Sequence, residues 1–141
     1  MSSNDTGRVV RQWFDALGQG DLAGAFDLLA DDVEWVNEPS VPELADLLPW
    51  TGRFRGPEQV QGSFATFHAL GEVEEMRLVE LVVEGDRAAA LIHERAHARD
   101  TGRVFETDYV EWFTVRHGRI AHWRIFIDTA PMVAAFRRGG E

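Results

Sequence analysis

Two turn signals near the C-terminal end leave this chain little freedom there. Asp100-Thr101-Gly102 and His117-Gly118 divide residues 87–128 into three stretches of alternating apolar and polar side chains. Stretches of this kind joined by short loops form an antiparallel meander. The last stretch, Ile120 to Asp128, sends Trp123, Ile125 and Ile127 to one face and His122, Arg124, Phe126 and Asp128 to the other. A hairpin at His117-Gly118 pairs Arg116 with Arg119, and carrying that register onward opposes Glu111 to Arg124, Tyr109 to Phe126 and Thr107 to Asp128. A hairpin loop at 100–102 pairs Arg99 with Arg103, so that Arg95 opposes Thr107, His93 opposes Tyr109 and His97 opposes Phe105. Opposed residues share a face, which predicts a row of Arg95, Thr107 and Asp128 across three strands. A single bulge in either ladder would break that row.

Upstream, periodicity changes from two to about 3.6. Asn4, Asp5 or Thr6 can cap a helix whose Val9, Val10, Trp13, Phe14 and Leu17 fall on one stripe, and Gly18-Gln19-Gly20 ends it. Asp21 caps a second helix carrying Leu22, Ala25, Phe26 and Leu29, and Val33 to Asn37 alternates as a first strand. Residues 39–56, with Pro39, Pro42, Pro49, Gly52 and Gly56, read as a long loop with one helical turn near Glu43–Leu48, and its Leu47, Leu48, Trp50 and Phe54 make it a packed lid. Pro57 opens a third helix with Val60, Phe64, Phe67 and Leu70 inward. Strands follow near 73–84, 87–99, 103–116 and 119–128, and a short helix carries Met132, Val133 and Phe136. The expected fold class is α+β, one domain over 1–141, with helices packed on a strongly curved antiparallel sheet that encloses a cone-shaped pocket.

Composition removes several chemistries. The chain has 141 residues and a formal charge of −10, which argues against nucleic acid and anionic membranes as partners. It has no cysteine, and all 14 basic residues are arginine, so thiolate, zinc-cysteine and Schiff-base chemistry are absent. No apolar run reaches membrane-spanning length and no signal-peptide pattern opens the chain, so a cytoplasmic location is expected. His93 and His97 stand four apart on a strand, about 13 Å, too far to share a metal ion. No metal and no cofactor are expected.

Both faces of the meander carry large apolar groups, and such a sheet needs two covers. We assign the helices to the face of Arg95, Tyr109, Phe126 and Asp128. Trp13, Trp35, Trp50, Phe64 and Phe67 then wall a pocket for an apolar small molecule, with His93, Tyr109 and Phe126 lining it and Arg95 and Asp128 at its floor. The face of Val110, Trp112, Trp123 and Ile125 is left for a second subunit, a homodimer. Glu111 opposite Arg124 reads as a structural cross-strand pair. Asp128, just before Thr129-Ala130-Pro131, fits a helix cap as well as a catalytic base.

Over residues 7–137 the chain resembles the nuclear transport factor two-like cone fold, in its SnoaL-like and ketosteroid isomerase-like branch. The resemblance rests on the helix-helix-strand opening, on Leu48-Pro49-Trp50-Thr51-Gly52-Arg53-Phe54-Arg55-Gly56 leading into a helix, on Thr101-Gly102-Arg103, and on His117-Gly118-Arg119-Ile120 followed by Trp123-Arg124-Ile125-Phe126-Ile127-Asp128. It implies a proton-transfer isomerase, cyclase or dehydratase acting on a polyketide-, steroid- or terpenoid-like compound, with Asp128 as the base, as in SnoaL-like cyclases. Ketosteroid isomerase keeps its base near the position of Glu38. Limonene-epoxide hydrolases are similar at Asn37, Arg95 and Asp128 but have an aspartate where this chain has His97 and a tyrosine where it has Trp35. Epoxide hydrolysis, with His97 as proton donor, is therefore an alternative implied activity. A non-catalytic dimeric ligand-binding protein is another.

Overall fold

The computed structural model describes residues 2–39 and 41–138, so position 40 in the predicted loop and the terminal residues lie outside the described part. Helix α1 (Ser3–Gly18) begins one turn earlier than the sequence reading, because the Ser2 hydroxyl accepts from the Asp5 amide. Its buried stripe is Thr6, Val9, Val10, Trp13 and Phe14. Helix α2 (Leu22–Phe26) is capped by Asp21. Strand β1 (Leu29–Asn37) starts earlier than expected. The proline-rich segment holds a 3-10 turn at Pro42–Ala45 and a short strand β2 (Gly52–Arg55) that the sequence reading left as loop. Helix α3 (Pro57–Leu70) leads into β3 (Gly71–Glu84), β4 (Arg87–Ala98), β5 (Val104–Arg116), β6 (Arg119–Ile127) and α4 (Ala130–Phe136).

The six strands form one open sheet in the order β2-β1-β6-β5-β4-β3. Every neighbouring pair is antiparallel except β1 and β6, which run parallel. Helix α1 lies over one face with Val9, Val10, Trp13 and Phe14 packed among Val33, Trp35, Ile92, Phe113, Ile120 and Trp123. A second cluster, Leu48, Trp50, Ala96, Ala98, Phe105, Met132 and Ala135, closes the end where the lid segment, β4, β5 and α4 meet. Gly71 lets β3 start there: a Cβ on it would stand 3.0 Å from Phe136 and 3.2 Å from Phe67.

The registers correct the predicted row in two places. Between β4 and β5 the loop is one residue longer than expected, since Ala98 and Gly102 close it with backbone bonds to Arg103 and Ala98. Arg95 therefore opposes Glu106 instead of Thr107, and His93 opposes Asp108. Between β5 and β6 the pairing of Arg116 with Arg119 holds, but a bulge between Thr114 and Val115 shifts everything beyond it. Tyr109 then faces Ile127, Glu111 faces Ile125 and Phe113 faces Trp123. A physical cause is visible in burial: Ile120 and Trp123 are both buried though three apart, which strict alternation forbids and one bulge permits.

Candidate functional site

Each shift of one residue exchanges the faces of a strand. The inner, helix-covered face of β4 carries Ala88, Ala90, Ile92, Glu94, Ala96 and Ala98; that of β5 carries Phe105, Thr107, Tyr109, Glu111, Phe113 and Val115. Trp123, Ile125 and Ile127 of β6 join them instead of facing a second subunit.

Between this face and the helices lies a cavity of about 510 Å³. The structure brings Trp13, Trp35, Trp50, Phe64, Phe67, Tyr109 and Asn37 to its wall. Trp35 and Trp123 stack at 3.8 Å with their planes 8° apart, and Trp13 leans on Trp35 at 5.5 Å. Trp50 meets Phe67 edge-on at 4.9 Å. The exposed residues His68, Glu74 and Glu75 stand at its opening.

Two carboxyl groups lie on the floor among these rings. Glu111 is 6% exposed; its Oε2 accepts from the Trp123 indole nitrogen at 3.1 Å, and its Oε1 has no partner among the described residues. Removal from water pushes its pKa to about 8, with the neighbouring Glu94 adding to the rise. Glu94, also desolvated, rises to about 7, held back by the Tyr109 hydroxyl, which donates to its Oε1 at 3.4 Å. Tyr109 is raised well above the usual phenol value by its own burial and by the two acids. At neutral pH Glu111 keeps its proton and Glu94 is divided between its two forms. An acid and a base thus face one apolar cavity.

Five expected site residues stand elsewhere. Arg95, His93 and His97 project from the outer face of β4. There Arg95 reaches Glu106 at 2.7 Å and Glu74 at 3.6 Å, His93 meets Asp108 at 2.7 Å, and His97 meets Glu74 at 3.2 Å and Glu72 at 3.5 Å. Phe126 is on the same outer face, 51% exposed, with the Arg124 guanidinium 4.8 Å above its ring. Asp128 is exposed, and its Oδ1 accepts from the Ala130 amide at 3.0 Å at the start of α4. Asn37 alone of the hydrolase-like set reaches the cavity, because the one-residue shift sends Arg95 and His97 outward and β6 ends before Asp128. Nor does Glu111 pair with Arg124, whose partner across the ladder is Trp112.

Sequence reasoning missed Glu94 and read Glu111 as structural. A signal existed for both. Each is the lone acid in a period-two row of apolar or aromatic residues. Among the described residues, no group of three or more metal-ligating side chains comes together, and no helix is long and apolar enough to cross a membrane.

The SnoaL-like domain model matches residues 10–123, and the chain belongs to that family. No curated protein sequence matches it significantly. Among solved structures it is similar to an NTF2-like protein from Burkholderia xenovorans, at 26% identity, with 97% of this chain and 99% of that chain covered and a TM-score of 0.79. Two others share the fold. A Catenulispora acidiphila protein with a ketosteroid isomerase-like fold, in complex with trimethylamine, is 18% identical over 90% of each chain, with a TM-score of 0.72. TerC, co-crystallised with polyporic acid, is 20% identical over 94% of this chain and 98% of that chain, with a TM-score of 0.78. The architecture is that of the NTF2-like cone fold.

Proposed function

We propose that the protein is a proton-transfer isomerase or cyclase acting on an enolisable carbonyl group of an apolar, ring-bearing compound of the polyketide, steroid or terpenoid kind. The observation that carries this reading is the pair of half-buried Glu94 and buried Glu111 on the floor of a cavity walled by aromatic rings. Glu94 in its ionised form removes the proton from a carbon beside the carbonyl. Glu111, still protonated, gives a hydrogen bond or its proton to the carbonyl oxygen as the enol forms. Returning the proton from Glu94 to a conjugated carbon completes an isomerisation; attack of the enol carbon on a second carbonyl, whose oxygen takes the proton held by Glu94, completes a cyclisation. In both, the enol O–H proton returns to Glu111 as the carbonyl reforms. Tyr109 positions Glu94. The fold does not select the ligand, since members were crystallised with trimethylamine and with polyporic acid. The test is hydrogen–deuterium exchange at the carbon next to the carbonyl in a panel of enolisable polycyclic ketones, followed by NMR. Catalysed exchange that Glu94→Gln abolishes supports the reading. Tight binding with no exchange across the panel makes the protein a ligand carrier.

We also propose that a second copy covers the outer face of the sheet. Trp112 is 38% exposed there, diagonal to Phe126 at 51%, and the Arg124 guanidinium opposite Trp112 lies over the Phe126 ring. A pair of exposed rings of this kind can meet its own image across a two-fold axis.

A further inference from the structure

The titratable groups that line the cavity come from four elements and, His68 apart, are carboxyl groups and one phenol. Helix α3 supplies His68, strand β3 supplies Glu75 and Glu74, the latter also engaged by Arg95 and His97, strand β4 supplies Glu94, and strand β5 supplies Tyr109 and Glu111. Among the described residues no arginine lines the cavity, and the chain has no lysine. The walls add to this: tryptophan and phenylalanine rings present negative π-faces, and Trp13, Trp35, Trp50 and Trp123 all border the space. On the floor, the Oε1 of Glu111 is buried and has no partner. An acceptor in that position calls for a donor that the protein does not supply. The chain's net charge of −10 acts in the same direction, drawing cations towards the opening and repelling anions.

We propose that this cavity takes an apolar ligand bearing a protonated amine, which the rings and floor carboxylates hold together, and that it turns away carboxylates. The ammonium N–H groups supply the donor that Glu111 lacks, and the positive charge lies against the indole faces. This rests on the cavity being the substrate site, as proposed above, and names the charge of what enters. It also has a protonic consequence. A cation placed beside Glu94 favours its ionised form, the form in which it acts as the base, so binding just below neutrality releases protons to solvent.

The experiment is titration calorimetry with 1-naphthylmethylamine, 1-naphthylmethanol and 1-naphthoate, three probes of similar size and different charge, in two buffers of unlike protonation enthalpy. The amine should bind about tenfold more tightly than the alcohol, the carboxylate should bind most weakly, and only the amine should release protons. Glu94→Gln with Glu111→Gln should erase the amine's advantage while alcohol binding persists, which shows that the cavity is still formed. Equal or tighter binding of the carboxylate overturns the proposal. So does an amine preference that survives in the double variant, or failure of all three to bind. Because no turnover is measured, loss of the exchange chemistry in the preceding test leaves this result standing, and failure here leaves that chemistry standing.

Discussion

On the outer face of β5, Glu106 and Asp108 each stand 2.7 Å from a nitrogen of Arg95 or His93, half or more exposed to water. Along the same strand, one face over, Glu111 has an indole for one oxygen and nothing for the other. The residue types are the same and the electrostatics are opposite. Outside, a carboxylate is held cheaply, because water and a donor nitrogen both stabilise it; such exposed pairs contribute about 0–1 kcal/mol each. Inside, burial weakens solvation of the Glu111 carboxylate and no cationic side chain lines the cavity among the described residues, so the protonated form is favoured. Alternation along one strand thus gives a surface that is charged and chemically idle and an interior that is neutral and primed for proton transfer.

The sharpest way to break this comparison is to neutralise acids on each face and measure exchange activity. Glu94→Gln or Glu111→Gln should lower the rate by roughly 100-fold or more, as removal of a positioned acid or base does. Arg95→Ala and His97→Gln, on the outer face, should leave it near wild type. Equal losses from both faces would mean that the cavity is not where the chemistry occurs. The pH profile of the wild type follows from the same pair. Glu94 must be ionised, which requires a pH above about 7, and Glu111 must hold its proton, which requires a pH below about 8. A bell with its maximum in that narrow window is expected.

Stability should report the same asymmetry. Both inner acids are raised above the ordinary value of 4.5, so the folded state binds more protons than the unfolded state between that value and 7 to 8. Their contribution to stability is fully present below 4.5 and is lost as pH rises through their folded values, a change on the order of several kcal/mol. Glu111→Gln carries no such proton, and its melting temperature should fall less on going from acid to alkaline pH, overtaking the wild type above about pH 8. A melting curve with the same pH slope in both proteins would show that Glu111 is not buried as a neutral acid.

Element order, turns and fold class were legible because each has a local cause: Asp21 as a cap, Pro57 at a helix start, His117-Gly118 as a tight turn. The site was not, because it depended on counting across two hairpins. One extra loop residue before Arg103 and one bulge beside Thr114 moved Arg95 to the wrong side of the sheet and Trp123 to the right one. Local alternation within a single strand needed no such count. Ala88, Ala90, Ile92, Ala96 and Ala98 already mark the inner row of β4 and place Glu94 in it, and Phe105, Tyr109 and Phe113 do the same for Glu111. An acid inside an apolar row was the better signal than a row assembled across strands. The parallel pairing of β1 with β6 had no local signature.

If the outer face is covered by a second copy, Trp112→Glu puts a charge at its centre, and sedimentation at micromolar concentration should change from dimer to monomer. The inner cavity, separated from Trp112 by the sheet, should still bind the naphthyl probes. A wild type that sediments as a monomer ends that proposal without affecting the cavity.

The smallest expected effect concerns the residue that sequence alone favoured most. Asp128 is exposed and its carboxylate accepts the Ala130 amide as α4 begins. Asp128 precedes the N-cap residue Thr129, and removing a side-chain acceptor at a helix start of this kind costs about 1 kcal/mol, whereas removing a catalytic base costs orders of magnitude in rate. Asp128→Ala should therefore lower the melting temperature by a few degrees and leave exchange activity nearly unchanged, and Asp128→Asn, which retains an acceptor oxygen, should restore most of the stability. Helix α4 also carries Met132 of the cavity wall, so a modest loosening of ligand affinity in the alanine variant fits the capping role. A rate lost in both variants with melting unchanged would return Asp128 to the chemistry and displace Glu94 as the base.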